Sequence, residues 1–520
     1  MISKPTTTLS VLMSKKHYHR TTILATLLAV ICIFSASKNV EAQQRWTTST
    51  GQEERPHFTE KFTKEEFAER RNKAYDQMGP NAFGVVQGAP MPLGFQAFRQ
   101  NNEFYYLSGI VSPFAYLVLD ATTRKTTVYL QNRMERREYN EGKVLSAEDA
   151  DYVIQISGID AVKPVSQLVD DLKAMNASGQ YAQVFTPFGP YEELGQTVSM
   201  VNRTLNDRRS DPFDNRPGRH IEFQNNLKEI TTNLETVNMD PIIDEMRKIK
   251  SQAEIDLITR STVLQGMAIK EAMRSSHVGM KAMDMEALAR YIFWKHDVDG
   301  EAYTALTHIG PEAYMNHYYG RVRAAKDGDM LLMDYGPVYH YYTSDMARMW
   351  PVNGKFNDVQ RELYTFYLEF YEAILYSIQI GMTGKDIMEA AFKRFDPIYE
   401  KMTFSKDIYK KAADEFIDSY RRRMQSPFVG LGHGVGMAVH DVGNYMVPVQ
   451  PGMVFVIEPQ FRIPEEDIYV RLEDMILVTE DGVEVISDFV PRDIEGIEKI
   501  IAQPGMLQQF PFPIPDIRKK

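Results

Sequence analysis

The chain has 520 residues, 43% of them hydrophobic and 25% charged, with a formal net charge of −11. That length allows a sizeable core and two domains, and the composition is that of a globular enzyme. Residues 1–42 hold Lys4, Lys15, Lys16, Arg20 and Lys38 against Glu41 alone, so the body is more acidic still. Such a body, with no basic run, argues against nucleic acid or an anionic membrane as the main partner.

The N-terminal stretch has the parts of a secretory signal peptide. Lys15, Lys16 and Arg20 precede a largely apolar run, Ile23–Phe34, and Val40-Glu41-Ala42 resembles a cleavage site before Gln43. An uncleaved anchor is the alternative, but a spanning helix needs about 20 apolar residues. Cleavage after Ala42 predicts a periplasmic or secreted protein with no membrane attachment. Cys32, the single cysteine, lies in the apolar run. The mature chain would then lack disulfides, thiolate metal ligands and a cysteine nucleophile.

Residues 43–60 are polar and read as a flexible segment, and Thr63–Met78 follows as an amphipathic helix. Strands are expected at Phe83–Val86, Phe104–Leu107, Phe114–Leu119 and Thr126–Leu130, and a helix at Val165–Met175. This alternation predicts an α/β domain over 61–240. Within it the polar stretch Asn202–Asn226 reads as an insertion or long surface loop. A second domain, 241–500, begins near Pro241–Lys250 with helices at Ile255–Met273, Met283–Trp294, Phe356–Ile380 and Lys406–Met424. Tyr364, Phe366, Tyr367, Phe370 and Tyr371 stripe the third of these, a pattern of core packing rather than of a cofactor box. Residues 501–520 form a Pro-rich tail.

The chemistry concentrates in Leu331–Arg348. An apolar strand runs into Asp334, turns at Gly336-Pro337 and returns through aromatics to Asp345, so a hairpin is expected to aim both carboxylates at one spot. For a lone buried Asp the simplest partner is an arginine, here Arg348 or Arg323. Two carboxylates held together repel unless one takes a proton or a cation lies between them. The glycines of Phe428–His440 are not followed by Gly-Lys-Ser/Thr, so a phosphate loop is discarded. They instead let backbone approach closely around His433, with His440 seven residues on. Glu458 and Glu473 each sit at or in an apolar strand pattern, as Asp334 does. Asp334, Asp345, His433, Glu458 and Glu473 are thus five candidate ligands of a kind suited to Mn²⁺, Co²⁺, Zn²⁺ or Fe²⁺. Four carboxylates nearly neutralise two divalent ions, so a two-metal site fits better than one.

The order Asp, ten residues, Asp, then His, Glu and Glu resembles the pita-bread metallopeptidases, which include aminopeptidase P, prolidase and methionine aminopeptidase. D-G-D-M-L-L-M-D-Y-G at 327–336, P-V-N-G-K-F at 351–356, P-G-M-V-F-V-I-E-P at 451–459 and R-L-E-D at 471–474 resemble that family's blocks. F-Y-Y-L-S-G at 104–109 and the segment Arg133–Gly142 resemble the first domain of aminopeptidase P, which methionine aminopeptidases lack. The resemblance implies an α/β (α+β) fold, with an N-terminal creatinase-like domain before a C-terminal pita-bread catalytic domain. It implies Asp334 on one metal, His433 and Glu458 on the other, and Asp345 and Glu473 as bridges, with Mn²⁺ the expected ion. A hydroxide between the ions would be the nucleophile and Glu458 the base that carries its proton to the leaving nitrogen. His317 and His440 would stabilise the oxyanion, and Arg471 matches a family arginine near the site, with a structural ion pair as the alternative. The implied activity is a secreted Xaa-Pro aminopeptidase acting on peptides with proline second. Xaa-Pro dipeptidase and a catalytically silent binding module are the alternatives, and homo-oligomerisation is left open.

Four positions depart from the family pattern. Thr is replaced by Ala347, Gly by Gln460, Tyr by Arg462 and His by Val429. None is a ligand, but Val429 and Arg462 bear on how a proline ring or a peptide carboxylate is received.

Overall fold

The computed structural model describes residues 61–94, 96–191, 195–426 and 428–510. The expected signal peptide, the segment 43–60 and residues 511–520 of the tail lie outside these. Among the described residues no helix is long and apolar enough to cross a membrane.

The first domain is built on a six-stranded mixed sheet of β1 (Ala82–Gln87), β2 (Tyr116–Asp120), β3 (Lys125–Leu130), β4 (Ala161–Pro164), β5 (Gln183–Thr186) and β6 (Glu235–Asn238). Its order is β4-β3-β2-β1-β5-β6, antiparallel at β3-β2-β1 and parallel at both flanks. Phe83, Val85, Val118, Val184, Leu168 and Leu227 bury one apolar layer of it. Residues 134–144 stand as a separate unit containing the short helix Glu135–Glu141.

Two expectations fail here. Phe104–Leu107 is not a strand but the body of a helix, Asn102–Ser108. Asn101 accepts from the Phe104 amide at 2.9 Å, and Gly109 closes the helix at φ +67°. Cap chemistry at both ends thus outweighs the β preference of the aromatics. The polar stretch 202–226 is no long loop: helices Val198–Arg208 and Arg219–Ile230 occupy most of it, the first capped by Thr197. Their apolar faces are narrow, which is why the sequence reads as loop.

The second domain is all antiparallel in its sheets. Its strands are β7 (Gly300–Glu301), β8 (Leu306–Ile309), β9 (Met330–Asp334), β10 (Pro337–Tyr339), β11 (Tyr342–Thr343) and β12 (Ala347–Pro351), then β13 (Val454–Ile457), β14 (Gln460–Ile463), β15 (Ile468–Arg471), β16 (Asp474–Thr479) and β17 (Gly482–Val485). They form the sheets β11-β10-β7, β12-β9-β8, β13-β16-β17 and the ribbon β14-β15. Helices Gln252–Ser275, Ala282–Lys295, Asp358–Leu375, Gly384–Tyr399 and Asp407–Arg423 accompany them. The sequence reading missed Gly384–Tyr399, which opens on a Thr383/Asp386 capping box.

The expected hairpin from Asp334 to Asp345 takes another form. β9 pairs with β12, placing Asp334 opposite Ala347, while β10 and β11 make a smaller hairpin whose turn residues His340 and Tyr341 both have positive φ. β10 then joins β7 in a different sheet. A Cβ on Gly336 would lie 2.2 Å from the Ser344 carbonyl, so only glycine lets the chain fold back there.

The aromatic stripe of helix Asp358–Leu375 is buried core, as its spacing predicts. Its hydroxyls also tie down neighbouring strands. Tyr367 Oη donates to the Pro459 carbonyl at 2.6 Å and accepts from the Leu472 amide at 2.8 Å. The backbone beside both Glu458 and Glu473 is therefore held by one buried phenol.

Candidate metal centre

Asp334 ends β9, Glu458 follows β13 and Glu473 precedes β16. A bridge pairs Ala347 with Glu473, so Asp334, Ala347 and Glu473 lie in one cross-strand row. Opposed residues share a sheet face, and Asp345, two before Ala347, comes to the same side. The loop carrying His433 lies along β13 through Val435 N to Val454 O and Val456 N to His433 O, both 3.0 Å. A Cβ at Gly432 would lie 1.9 Å from the Val456 carbonyl, which is why this approach needs glycine.

All five sequence-derived ligands meet at one place. Ligand atoms of Asp334, Asp345 and Glu473 lie within 4.8 Å of one another, as do those of His433, Glu458 and Glu473, and those of Asp345, His433 and His440. Glu473 is common to the first two groups. His433 Nε2 is 3.6 Å from Asp345 Oδ2, 3.6 Å from Glu458 Oε1 and 3.7 Å from Glu473 Oε1. Its Nδ1 lies 3.2 Å from the Gly434 carbonyl, which can only accept, so the ring proton belongs there and Nε2 keeps its lone pair toward the carboxylates.

Arginine supplies the positive charge, but not the arginines expected. Arg348 pairs with Asp474 and Arg323 with Asp329. Arg471, on β15, places Nη2 at 2.7 Å from Asp334, 3.1 Å from Glu458 and 2.6 Å from Glu473. One guanidinium cannot balance four carboxylates. Burial, together with Glu473 and Asp334, pushes the Asp345 carboxyl well above its ordinary range. Burial does the same to Glu473, only partly opposed by Arg471. Burial also opposes ionisation of Glu458, yet Arg471 above all holds it below its ordinary value. Burial lowers His433 below its ordinary value, and burial with His433 beside it lowers His440 to about 3. Both imidazoles are therefore neutral at neutral pH. Their rings lie 3.8 Å apart between centroids.

The sequence reading missed Tyr303. Its Oη lies 2.5 Å from Asp334 Oδ1 and 2.9 Å from Asp345 Oδ1. It can give its one proton to only one of them. Nothing in E-A-Y-T at 301–304 marks this residue before folding brings it there. His317 is exposed.

The donor set fits divalent cations. His433 Nε2 and Glu473 Oε1 are buried with no hydrogen-bond partner among the described residues, and each would otherwise carry the cost of an unsatisfied polar atom. Oxygen-rich ligands with one imidazole suit first-row divalent ions. An α/β domain before an antiparallel, carboxylate-lined domain of this kind defines a pita-bread metalloenzyme.

Residues 256–480 match metallopeptidase family M24, and residues 67–185 match the aminopeptidase P N-terminal domain. The chain is 28% identical over 466 residues to the Xaa-Pro aminopeptidase of Escherichia coli, covering 85% of this chain and 98% of that one. It is 25% identical over 453 residues to the Xaa-Pro dipeptidase of Homo sapiens, covering 78% and 84%. The structure of aminopeptidase P from E. coli with the inhibitor Pro-Leu superposes with a TM-score of 0.67 at 26% identity, over 85% of this chain and 98% of that one. The chain belongs to metallopeptidase family M24 and is a metallo-aminopeptidase of the aminopeptidase P type.

Proposed function

We propose that this enzyme hydrolyses the N-terminal Xaa-Pro bond of peptides, using two divalent ions held by Asp334, Asp345, His433, Glu458 and Glu473, with Mn²⁺ as the expected metal. The observation that carries this reading is the convergence of five candidate ligands, two of whose buried atoms have no hydrogen-bond partner among the described residues. The identity to an Xaa-Pro aminopeptidase over 85% of the chain supports the substrate class.

Two divalent ions, when bound, would make water more acidic and polarise the scissile carbonyl. The protein's own groups do the rest. Glu458, ionised beside Arg471, accepts a proton from the attacking water and returns it to the leaving nitrogen, an imino nitrogen when proline follows. His440, neutral, and His317 offer N–H groups to the developing oxyanion. Arg471 donates to Asp334 and Glu473 and pairs with Glu458 at 3.1 Å, and so keeps the ligand set in register.

The similarity to an Xaa-Pro dipeptidase keeps a second specificity in play. Comparing Ala-Pro, Ala-Pro-Ala and Ala-Ala-Ala with the metal-loaded enzyme separates the readings. Release of alanine from Ala-Pro-Ala faster than from Ala-Pro, with Ala-Ala-Ala inert, is expected. Cleavage restricted to Ala-Pro would establish the dipeptidase, and indifference to proline would overturn both. The export reading rests on the sequence of residues 1–42 alone and assigns the enzyme outside the cytoplasm.

A further inference from the structure

The departures Gln460 and Arg462 form one polar cluster beside the metal centre. In the β14-β15 ribbon Gln460 lies opposite Arg471, and Arg462 opposite Tyr469. Opposed and alternate residues share a face, so Arg462 lies on the face from which Arg471 meets the carboxylates. Two residues of strand carry it about 7 Å farther along the wall. Its Nη2 donates to Asn316 Oδ1 at 2.5 Å and to Gln460 Oε1 at 2.9 Å, and Asn316 Nδ2 donates to the same Gln460 oxygen at 2.9 Å. The Gln460 amide oxygen is thus engaged twice. The guanidinium is also set against two rings, 5.2 Å from the Tyr314 centroid and 5.0 Å from that of Tyr469.

All of these partners are neutral. Arg290, Arg321, Arg323, Arg348, Arg471 and Arg492 each pair with a carboxylate, whereas no carboxylate among the described residues pairs with the half-buried Arg462. A cation that is fixed in orientation, partly desolvated and without a counter-charge is preorganised for an anion.

We infer that Arg462 is a specificity residue that receives a carboxylate of the peptide substrate on the leaving-group side of the scissile bond. The inference rests on the proposed aminopeptidase reading. In that reaction the acyl side ends after one residue in an ammonium group, which a guanidinium repels. The leaving side continues, and extended chain spans about 3.3–3.6 Å per residue, so a carboxylate about two residues past the scissile bond reaches Arg462. It can be the C-terminal carboxylate of a tripeptide or an acidic side chain of a longer peptide.

Two matched pairs separate these sources with the metal-loaded enzyme: Ala-Pro-Ala against its C-terminal amide, and Ala-Pro-Glu-amide against Ala-Pro-Gln-amide. Wild type is expected to favour the carboxylate member of at least one pair by roughly tenfold to a hundredfold, the range of a charge-assisted hydrogen bond, chiefly through KM. Arg462→Met should abolish that ratio and Arg462→Lys should restore part of it. Calorimetric binding of Pro-Ala against Pro-Ala-amide gives the same comparison without turnover. A wild-type enzyme that cleaves both members of each pair equally, or an Arg462→Met enzyme that keeps the ratio, overturns the inference while leaving the Xaa-Pro reading intact. Failure to cleave any of the four before proline removes the Xaa-Pro reading, and this inference with it.

Discussion

Replacing Asp474 by asparagine tests how the second domain holds its ligand strands. Asp474 and Arg348 form a pair with side chains 0% exposed, joined at 2.5 Å. Every other Arg348 donor contact is to a carbonyl: Pro491 at 3.2 Å, Ala347 at 3.0 Å, Glu473 at 2.7 Å and Val490 at 3.0 Å. Asp474 also accepts from Tyr371 Oη at 2.9 Å, Ser487 Oγ at 2.5 Å and, more distantly, Arg492 Nη1 at 3.4 Å. The amide keeps the shape but removes the charge, leaving a buried guanidinium facing only dipoles. Breaking one side of such a pair costs about 3–5 kcal/mol, or about 6–10 °C in melting temperature for a domain of this size. Because Arg348 grips the carbonyls of both Ala347 and Glu473, metal content should fall as well. Arg348→Met combined with Asp474→Asn should cost less than the sum of the two single changes by at least about 1 kcal/mol, since neither charge is then left unpaired. Thermal melting and metal analysis of the three variants decide it. A single variant melting within about 1 °C of wild type, or a strictly additive double, would refute the reasoning.

Other expectations follow from the centre itself. On the proposed mechanism Glu458→Gln retains an oxygen ligand but no base, so turnover should drop by a factor on the order of 10² to 10⁴ with metal still bound. Near-normal turnover in that variant would move the base to His317 or His440. The pH dependence of stability has a definite sign. Asp345 and Glu473 have folded pKa values raised by burial, so in metal-free protein their contribution is present at low pH and lost as pH rises through the raised values. Cations replace those protons, so the melting temperature gained on adding Mn²⁺ should widen from about pH 5 to about pH 8, and a gap that narrows contradicts the site. For export, N-terminal sequencing of the native protein should begin at Gln43, whereas retention of residues 20–40 would favour an anchor.

The sequence by itself marked the five candidate ligands that the fold brings together. Asp334, Asp345, His433, Glu458 and Glu473 were legible because carboxylates ending apolar strands, and a histidine among glycines, are costly unless something partners them. The aromatic stripe of Asp358–Leu375 was legible as core for the same local reason, its helical spacing. What only the tertiary structure decided is who meets whom across long separations. Asp334 takes Arg471, 137 residues away, rather than Arg348 or Arg323, because the Ala347–Glu473 bridge brings β15 and β16 against β12. Tyr303 enters the centre from a segment with no motif of its own, and Tyr367 anchors the backbone beside two ligands from a helix whose sequence signals only packing. Gln460 and Arg462, mere departures in the sequence, become one cluster with Asn316 only when the ribbon and the 316 loop come together. Periodicity and capping act over a few residues and can be read from them. Which buried charges neutralise one another depends on packing between distant strands, and no local pattern encodes it.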